Sequence, residues 1–231
     1  MAEQLAFDLR SKPALGREDF YISPANAVAV ATLAVPQGWP NGKMALIGPR
    51  GAGKTHLAHV FAAETGARIV KAATLATADI EALASSPVVV EDVPAIADDP
   101  DAQAALFHLH NLTLASGNAL LVTGAQAPSR WPLTLPDLAS RMQGTAITQI
   151  EPPDDALLSA VLLKLFNDRQ TPVDPTVIPY LVSRMERALG SAADLVAALD
   201  KAALARKQPV TRPLAARVLE DRCSPPPPAS S

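Results

Sequence analysis

The sequence predicts an α/β fold in which a P-loop parallel sheet flanked by helices is followed by a small all-α domain. Three observations predict it. Residues 48–55, Gly-Pro-Arg-Gly-Ala-Gly-Lys-Thr, fit the G-x-x-x-x-G-K-[ST] phosphate-binding pattern. Short apolar runs alternate with helically spaced segments from residue 43 to residue 150, the pattern of βαβ units whose sheet is covered on both faces. After Glu151-Pro152-Pro153-Asp154-Asp155 the apolar period is helical throughout.

Each element has its own signal in the chain. Residues 1–17, broken by Pro13 and Gly16 and without a helical period, are expected to form a flexible arm, with the ordered fold beginning near Phe20. Residues 24–34 read as a helix starting at Pro24, and residues 36–42 as the loop before the first strand. Strands are expected at 43–47, 68–72, 88–91, 120–123 and 146–150, and helices at 53–65, 101–116 and 136–142. Two prolines then stop the last strand, and an acidic pair caps the next helix. This divides a nucleotide-binding domain at 18–151 from a helical domain at 152–223. Within the latter, helices are expected at 154–169, 174–186, 191–206 and 212–221, separated by Pro172, Gly190 and Pro209. Residues 224–231, Ser-Pro-Pro-Pro-Pro-Ala-Ser-Ser, lack the side chains of a core and read as a disordered tail.

Composition bounds the function. The 231 residues are 48% apolar with a formal charge of −3, and the pI is near 5.8. A protein whose main task is gripping nucleic-acid phosphates needs a basic face, so direct sequence-specific DNA binding is not expected. The lone cysteine, Cys223, has no partner for an internal disulfide, in keeping with a reducing cytoplasm. With no signal peptide and no apolar run of about 18 residues, no membrane role is expected.

The phosphate loop has a chemical rationale at each position. Gly48, Gly51 and Gly53, with Pro49, Arg50 and Ala52 between them, let successive backbone N–H groups face one concavity. The adjoining helix adds its positive end. Lys54 is placed to reach the β/γ-phosphates of ATP or ADP, the Thr55 hydroxyl to ligate Mg²⁺, and His56 comes next on the same helix. The Val88-Val89-Val90-Glu91-Asp92 run supplies a second strand ending in acids, with Glu91 and Asp92 as candidates for the metal and Asp92 for orienting water. The common order is Asp followed by the water-polarising acid. The order Glu then Asp here predicts weak intrinsic hydrolysis or none. His56 and His59, and His108 and His110, lack the Cys or carboxylate company of a tetrahedral metal site and are read as structural or surface residues.

From Gly53-Lys54-Thr55-His56-Leu57 onward the chain resembles the DnaA-related branch of the AAA+ ATPases. The resemblance spans residues 3–221 and implies further roles. Phe20, Tyr21 and Ile22 match the N-terminal element beside the adenine. Residues 120–124, Leu-Leu-Val-Thr-Gly, match the sensor 1 strand, which places Thr123 near the γ-phosphate, although Ala125 stands where many relatives carry Asp. Residues 135–142, Leu-Pro-Asp-Leu-Ala-Ser-Arg-Met, match the box that carries the arginine finger, which makes Arg141 a catalytic candidate acting on a neighbour's ATP. The helical domain is then the AAA+ lid. At its sensor 2 position the register puts Gly190, with Arg187 one turn away as a substitute.

Gln4-Leu5-Ala6-Phe7-Asp8-Leu9 resembles the Q-L-x-[LF]-x-[LF] peptide that binds the bacterial sliding clamp. As a strand it puts Leu5, Phe7 and Leu9 on one face, with Gln4 at the edge of the groove they would fill. DnaA itself continues into a DNA-binding domain, whereas this chain is expected to end after the lid. The combination is similar to regulators of replication initiation, whose partners are DnaA and the β-subunit clamp of DNA polymerase III; a homo-oligomer is an open possibility for this chain. A stand-alone ATPase or loader acting on a replication factor, and a DnaA-like DNA-binding adaptor, are the alternatives.

Overall fold

The computed structural model describes residues 21–206 and 208–223. Five parallel strands, β1 (Lys43–Ile47), β2 (Arg68–Lys71), β3 (Val88–Glu91), β4 (Leu120–Gly124) and β5 (Ala146–Gln149), form one sheet in the order β2-β3-β4-β1-β5. Parallel pairing is fixed along the sheet, with Met44 opposite both Leu121 and Ala146 and Val88 opposite both Arg68 and Leu120. The chain leaves β1 for the far edge and returns, so β1 lies where the order reverses, the position at which open α/β sheets take their ligands.

Both faces of the sheet are buried, which explains why β1, β3 and β4 read as continuous apolar runs and not as alternating ones. On one face Ala45, Val88, Val90, Leu120 and Val122 pack against α3 (Ile80–Ala84), α4 (Pro100–Ala115) and α5 (Pro136–Gln143) through Ala84, Leu106, Leu109, Leu138 and Met142. On the other, Met44, Leu46, Val89 and Leu121 meet α1 (Ala27–Leu33) and α2 (Lys54–Thr65), where Phe61 stacks on Trp39 at 5.3 Å between ring centroids. A separate core unites α6 (Asp155–Asp168), α7 (Val177–Val182), α8 (Leu189–Arg206) and α9 (Arg212–Cys223) around Phe166, Leu181, Leu195 and Leu214.

The differences from the expected elements have local causes. The first helix starts at Ala27, not Pro24, because the Asn26 side chain accepts from the Ser23 amide at 2.9 Å and donates to the Tyr21 carbonyl at 2.9 Å, holding 21–26 as a turn. The helix expected at 174–186 is shorter at both ends. Asp174 accepts from the Thr176 amide at 2.8 Å and hydroxyl at 2.6 Å, a side-chain turn that delays the start. The Ser183 hydroxyl bonds the Tyr180 carbonyl at 2.9 Å where the helix ends. The short α3, capped by Asp79 accepting from the Ala82 amide at 2.9 Å, had no counterpart among the expected elements. Among the described residues no helix is long and apolar enough to cross a membrane.

Candidate nucleotide site

The phosphate-loop motif joins the carboxyl end of β1 to α2, and its backbone takes the conformations that require glycine. Gly51 and Gly53 have φ of +77° and +107°, and Gly53 sits at the N-cap of α2. A Cβ on Gly48 would lie 2.4 Å from the Ile150 carbonyl oxygen. The ammonium of Lys54 curls back over the loop, donating to the Gly48 carbonyl at 2.6 Å and the Pro49 carbonyl at 2.9 Å. Partial burial lowers the Lys54 pKa and the charge of Asp92 pulls it back up. The lysine thus feels the charge of the acid that follows β3. Arg50 and Thr55 are exposed at the loop, Ala52 is buried beneath it, and His56 lies within the first turn of α2.

Glu91 closes β3, and Asp92 comes next with φ +56°, a left-handed conformation uncommon for a residue with a side chain. The Thr123 hydroxyl, 3% exposed at the end of β4, accepts from the Asp92 amide at 2.9 Å. That bond fixes the acid-bearing turn to the middle of the sheet. Thr55, Glu91 and Asp92 supply one hydroxyl and two carboxylates. Mg²⁺ is ordinarily held by one or two carboxylates together with substrate phosphates and water, so this donor set fits it. No group of three or more His, Cys, Asp or Glu side chains suited to a metal occurs among the described residues.

The helical unit touches the phosphate loop directly. The Leu189 amide donates to the Gly51 carbonyl at 2.8 Å, and a Cβ on Gly51 would meet the Ala188 Cβ at 2.4 Å. A Cβ on Gly53 would lie 3.2 Å from Leu189 Cδ1. Ala188 and Leu189 are therefore the contact between the start of α8 and the loop, and nothing in their residue types marks them in the sequence. Arg187 pairs with Asp155 at 2.6 Å and donates to the Pro153 carbonyl at 3.2 Å, so it pins the segment that joins the two units. Nothing lies within 4 Å of a Cβ built on Gly190.

Tyr21 and Ile22 are 58% and 56% exposed. Ile22 lines a shallow apolar notch with Val30, Leu33, Leu57, Val60 and Phe61, along α2. Phe20, the Gln4, Leu5, Phe7 and Leu9 peptide and the proline-rich tail lie outside the described residues.

Arg141 is exposed in the last turn of α5, well away from the loop. Its carbonyl accepts from the Lys43 ammonium at 2.7 Å and from the Thr145 hydroxyl at 3.1 Å. Lys43 is the first residue of β1, and the phosphate loop begins after the last, so roughly 13 Å of strand separates the two ends. Among the described residues no ion pair holds the Arg141 guanidinium.

Beneath it Lys43, 6% exposed, lies 3.3 Å from His110 Nε2, and His110 Nδ1 lies 3.0 Å from Asn111 Oδ1. Lysine has only donors, so His110 Nε2 accepts and Nδ1–H donates to Asn111. Burial, then the Arg141 charge, lowers the Lys43 pKa. Burial also lowers that of His110, opposed by the Asn111 bond and reinforced by the Lys43 and Arg141 charges.

Comparison with solved structures is decisive for the fold. Domain III of the replication initiation protein DnaA of Thermotoga maritima superposes with a TM-score of 0.76 at 18% identity, over 93% of this chain and 99% of that one. The fold is that of DnaA domain III. The AMPPCP-bound DnaA of Aquifex aeolicus gives a TM-score of 0.65 at 17% identity, over 80% of this chain and 65% of that one. A single-substitution variant of RuvB of Thermotoga maritima also gives 0.65, at 16% identity over 84% of this chain and 66% of that one. In sequence, an uncharacterized protein of Haemophilus influenzae is 28% identical over 182 residues, 74% of this chain and 79% of its own length. No protein-family model matches the chain.

Proposed function

We propose that this chain is a nucleotide-controlled regulator of replication initiation of the Hda type, which docks on the sliding clamp and places Arg141 in the ATP site of DnaA. The observation that carries the reading is the position of Arg141. Its backbone is tied to the amino-terminal end of β1 while the phosphate loop lies at the carboxyl end, so this exposed arginine stands at the opposite end of the strand from the chain's own site. An arginine so placed serves a neighbouring molecule. Its charge is permanent and its planar fork matches phosphate oxygens, so it neutralises charge that develops on a transferring phosphoryl group.

The chain's own site binds ADP or ATP through residues 48–55, with the loop's N–H groups and Lys54 on the phosphates and Thr55, Glu91 and Asp92 holding Mg²⁺. That ion supplies neutralisation of the phosphate charge. Contact of Ala188 and Leu189 with Gly51 supports a conformational role for this nucleotide, since any change in the loop reaches the lid directly. Glu91 preceding Asp92 supports slow turnover at the same site. The AMPPCP-bound DnaA with the same fold supports the choice of an adenine nucleotide. The Gln4 to Leu9 peptide supplies the clamp contact, which makes inactivation of DnaA depend on clamp loading during DNA synthesis.

The test is to add the purified protein to ATP-loaded DnaA, with and without clamp loaded on DNA, and to measure ADP formed. Clamp-dependent stimulation is expected. Brisk ATP turnover by this protein alone favours a stand-alone ATPase or loader, and salt-sensitive DNA binding without stimulation favours a DNA-bound adaptor.

A further inference from the structure

Gln103 lies in α4, is fully buried, and belongs to no motif. Its carboxamide nevertheless bridges two segments that flank the chemistry. Nε2 donates to the Ile96 carbonyl at 3.0 Å and the Ala97 carbonyl at 2.8 Å, at the end of the turn that begins with Asp92. Oε1 accepts from the Thr134 amide at 2.9 Å and the Leu135 amide at 2.9 Å, immediately before α5. Leu135 is the N-cap of α5 and offers no side-chain cap of its own, so Gln103 satisfies backbone donors there. The Thr134 hydroxyl, 3.2 Å from Nε2, completes the node.

These bonds form a continuous path. Thr123 holds the Asp92 amide, Asp92 opens the turn ending at Ile96, Gln103 joins that turn to Leu135, and α5 runs from there to Arg141. The far end of α5 is fixed separately, since the Arg141 carbonyl is held by Lys43 from β1. A short helix anchored at its C-terminal turn and displaced at its N-terminus turns as a rod, which re-aims the side chains it carries.

We infer that Gln103 is a positioning residue that links the acid-bearing turn of the nucleotide site to the helix carrying Arg141, so that occupancy of this chain's own site sets the placement of the arginine it offers to a partner. The inference rests on the nucleotide-binding reading above and adds a regulatory route to it. The Gln103 carboxamide joins the Ile96 and Ala97 carbonyls to the Thr134 and Leu135 amides.

The experiment is hydrogen exchange on the full chain, with and without ADP and Mg²⁺, for the wild type, Gln103→Met and Gln103→Asn. Asparagine keeps a buried amide but is one methylene too short to bridge both segments. In the wild type ADP should slow exchange at 48–57 and also at 134–143. In both variants the slowing at 48–57 should persist while that at 134–143 disappears, and Thr134 and Leu135 should exchange about tenfold faster than in the wild type whether or not ADP is present. A purely structural role would accelerate exchange at Thr134 and Leu135 yet leave the ADP response of 134–143 intact, which would overturn the inference. A wild type protected at 48–57 but unresponsive at 134–143 would overturn it as well, leaving nucleotide binding standing. No protection at 48–57 in the wild type would remove both.

Discussion

Replacing Gly51 with alanine gives the most quantitative test of how the helical unit meets the glycine-rich loop. The new Cβ would sit 2.4 Å from the Ala188 Cβ and 3.1 Å from its Cα, whereas carbon atoms prefer about 3.5–4.0 Å. The start of α8 therefore has to retreat by about an ångström, which breaks the 2.8 Å bond from the Leu189 amide to the Gly51 carbonyl. That bond contributes about 1 kcal/mol net. The φ of +77° at Gly51 adds about 1–2 kcal/mol of strain for a residue bearing a Cβ. With lost packing, the total is about 2–4 kcal/mol, or roughly 4–16 °C in melting temperature for a chain of this size.

Gly190→Ala is the matched control. No atom lies within 4 Å of its Cβ, and the residue is helical, so the substitution should raise stability by about 0.5–1 kcal/mol. Thermal unfolding and titration with a fluorescent ADP analogue read both effects. Gly51→Ala should melt lower and bind at least about tenfold more weakly. Wild-type stability and affinity for Gly51→Ala would refute the contact between Ala188 and the loop.

Two more perturbations probe the far end of the sheet and the clamp peptide. Because burial lowers the His110 pKa, the unfolded chain takes up a proton near pH 6.5 that the folded chain resists. The His110 contribution is fully present above that pH and is lost as pH falls toward the folded-state value. Gln replaces the imidazole with a side chain that accepts from Lys43 but does not titrate, so His110→Gln should lose less stability than the wild type between pH 7 and pH 5 in chemical denaturation; parallel declines would contradict the assignment. Ala at Leu5 and Phe7 removes apolar side chains worth about 1.5–3 kcal/mol each when buried, so clamp pull-down should weaken at least tenfold. Unchanged capture would remove the clamp peptide from the account.

How far the sequence disclosed the molecule depends on whether a feature is local. The strands were readable because apolar runs covered on both faces have no polar interruption, and the phosphate loop because its glycines are demanded by positive φ at Gly51 and Gly53. Helix ends were less so. Asn26 and Asp174 each use a side chain to hold a turn where periodicity alone continues a helix. Least legible were the contacts that join distant segments. Lys43 reads as the polar start of a strand, yet it caps α5 across 98 positions of sequence. Gln103 reads as an ordinary helical glutamine, and Ala188 and Leu189 as two apolar residues near a helix start. Each becomes informative only when the fold brings its partner alongside.

The central claim is that Arg141 acts on ATP held by another protein. The direct measurement is the single-turnover rate of hydrolysis of DnaA-bound ATP in the presence of clamp loaded on DNA, comparing wild type, Arg141→Ala and Arg141→Lys. An arginine finger contributes about 10³-fold or more to such a rate. Both substitutions should therefore lower the stimulated rate by at least about a hundredfold, with clamp binding, folding and the protein's own ADP affinity unchanged. Full stimulation by Arg141→Ala would contradict the account.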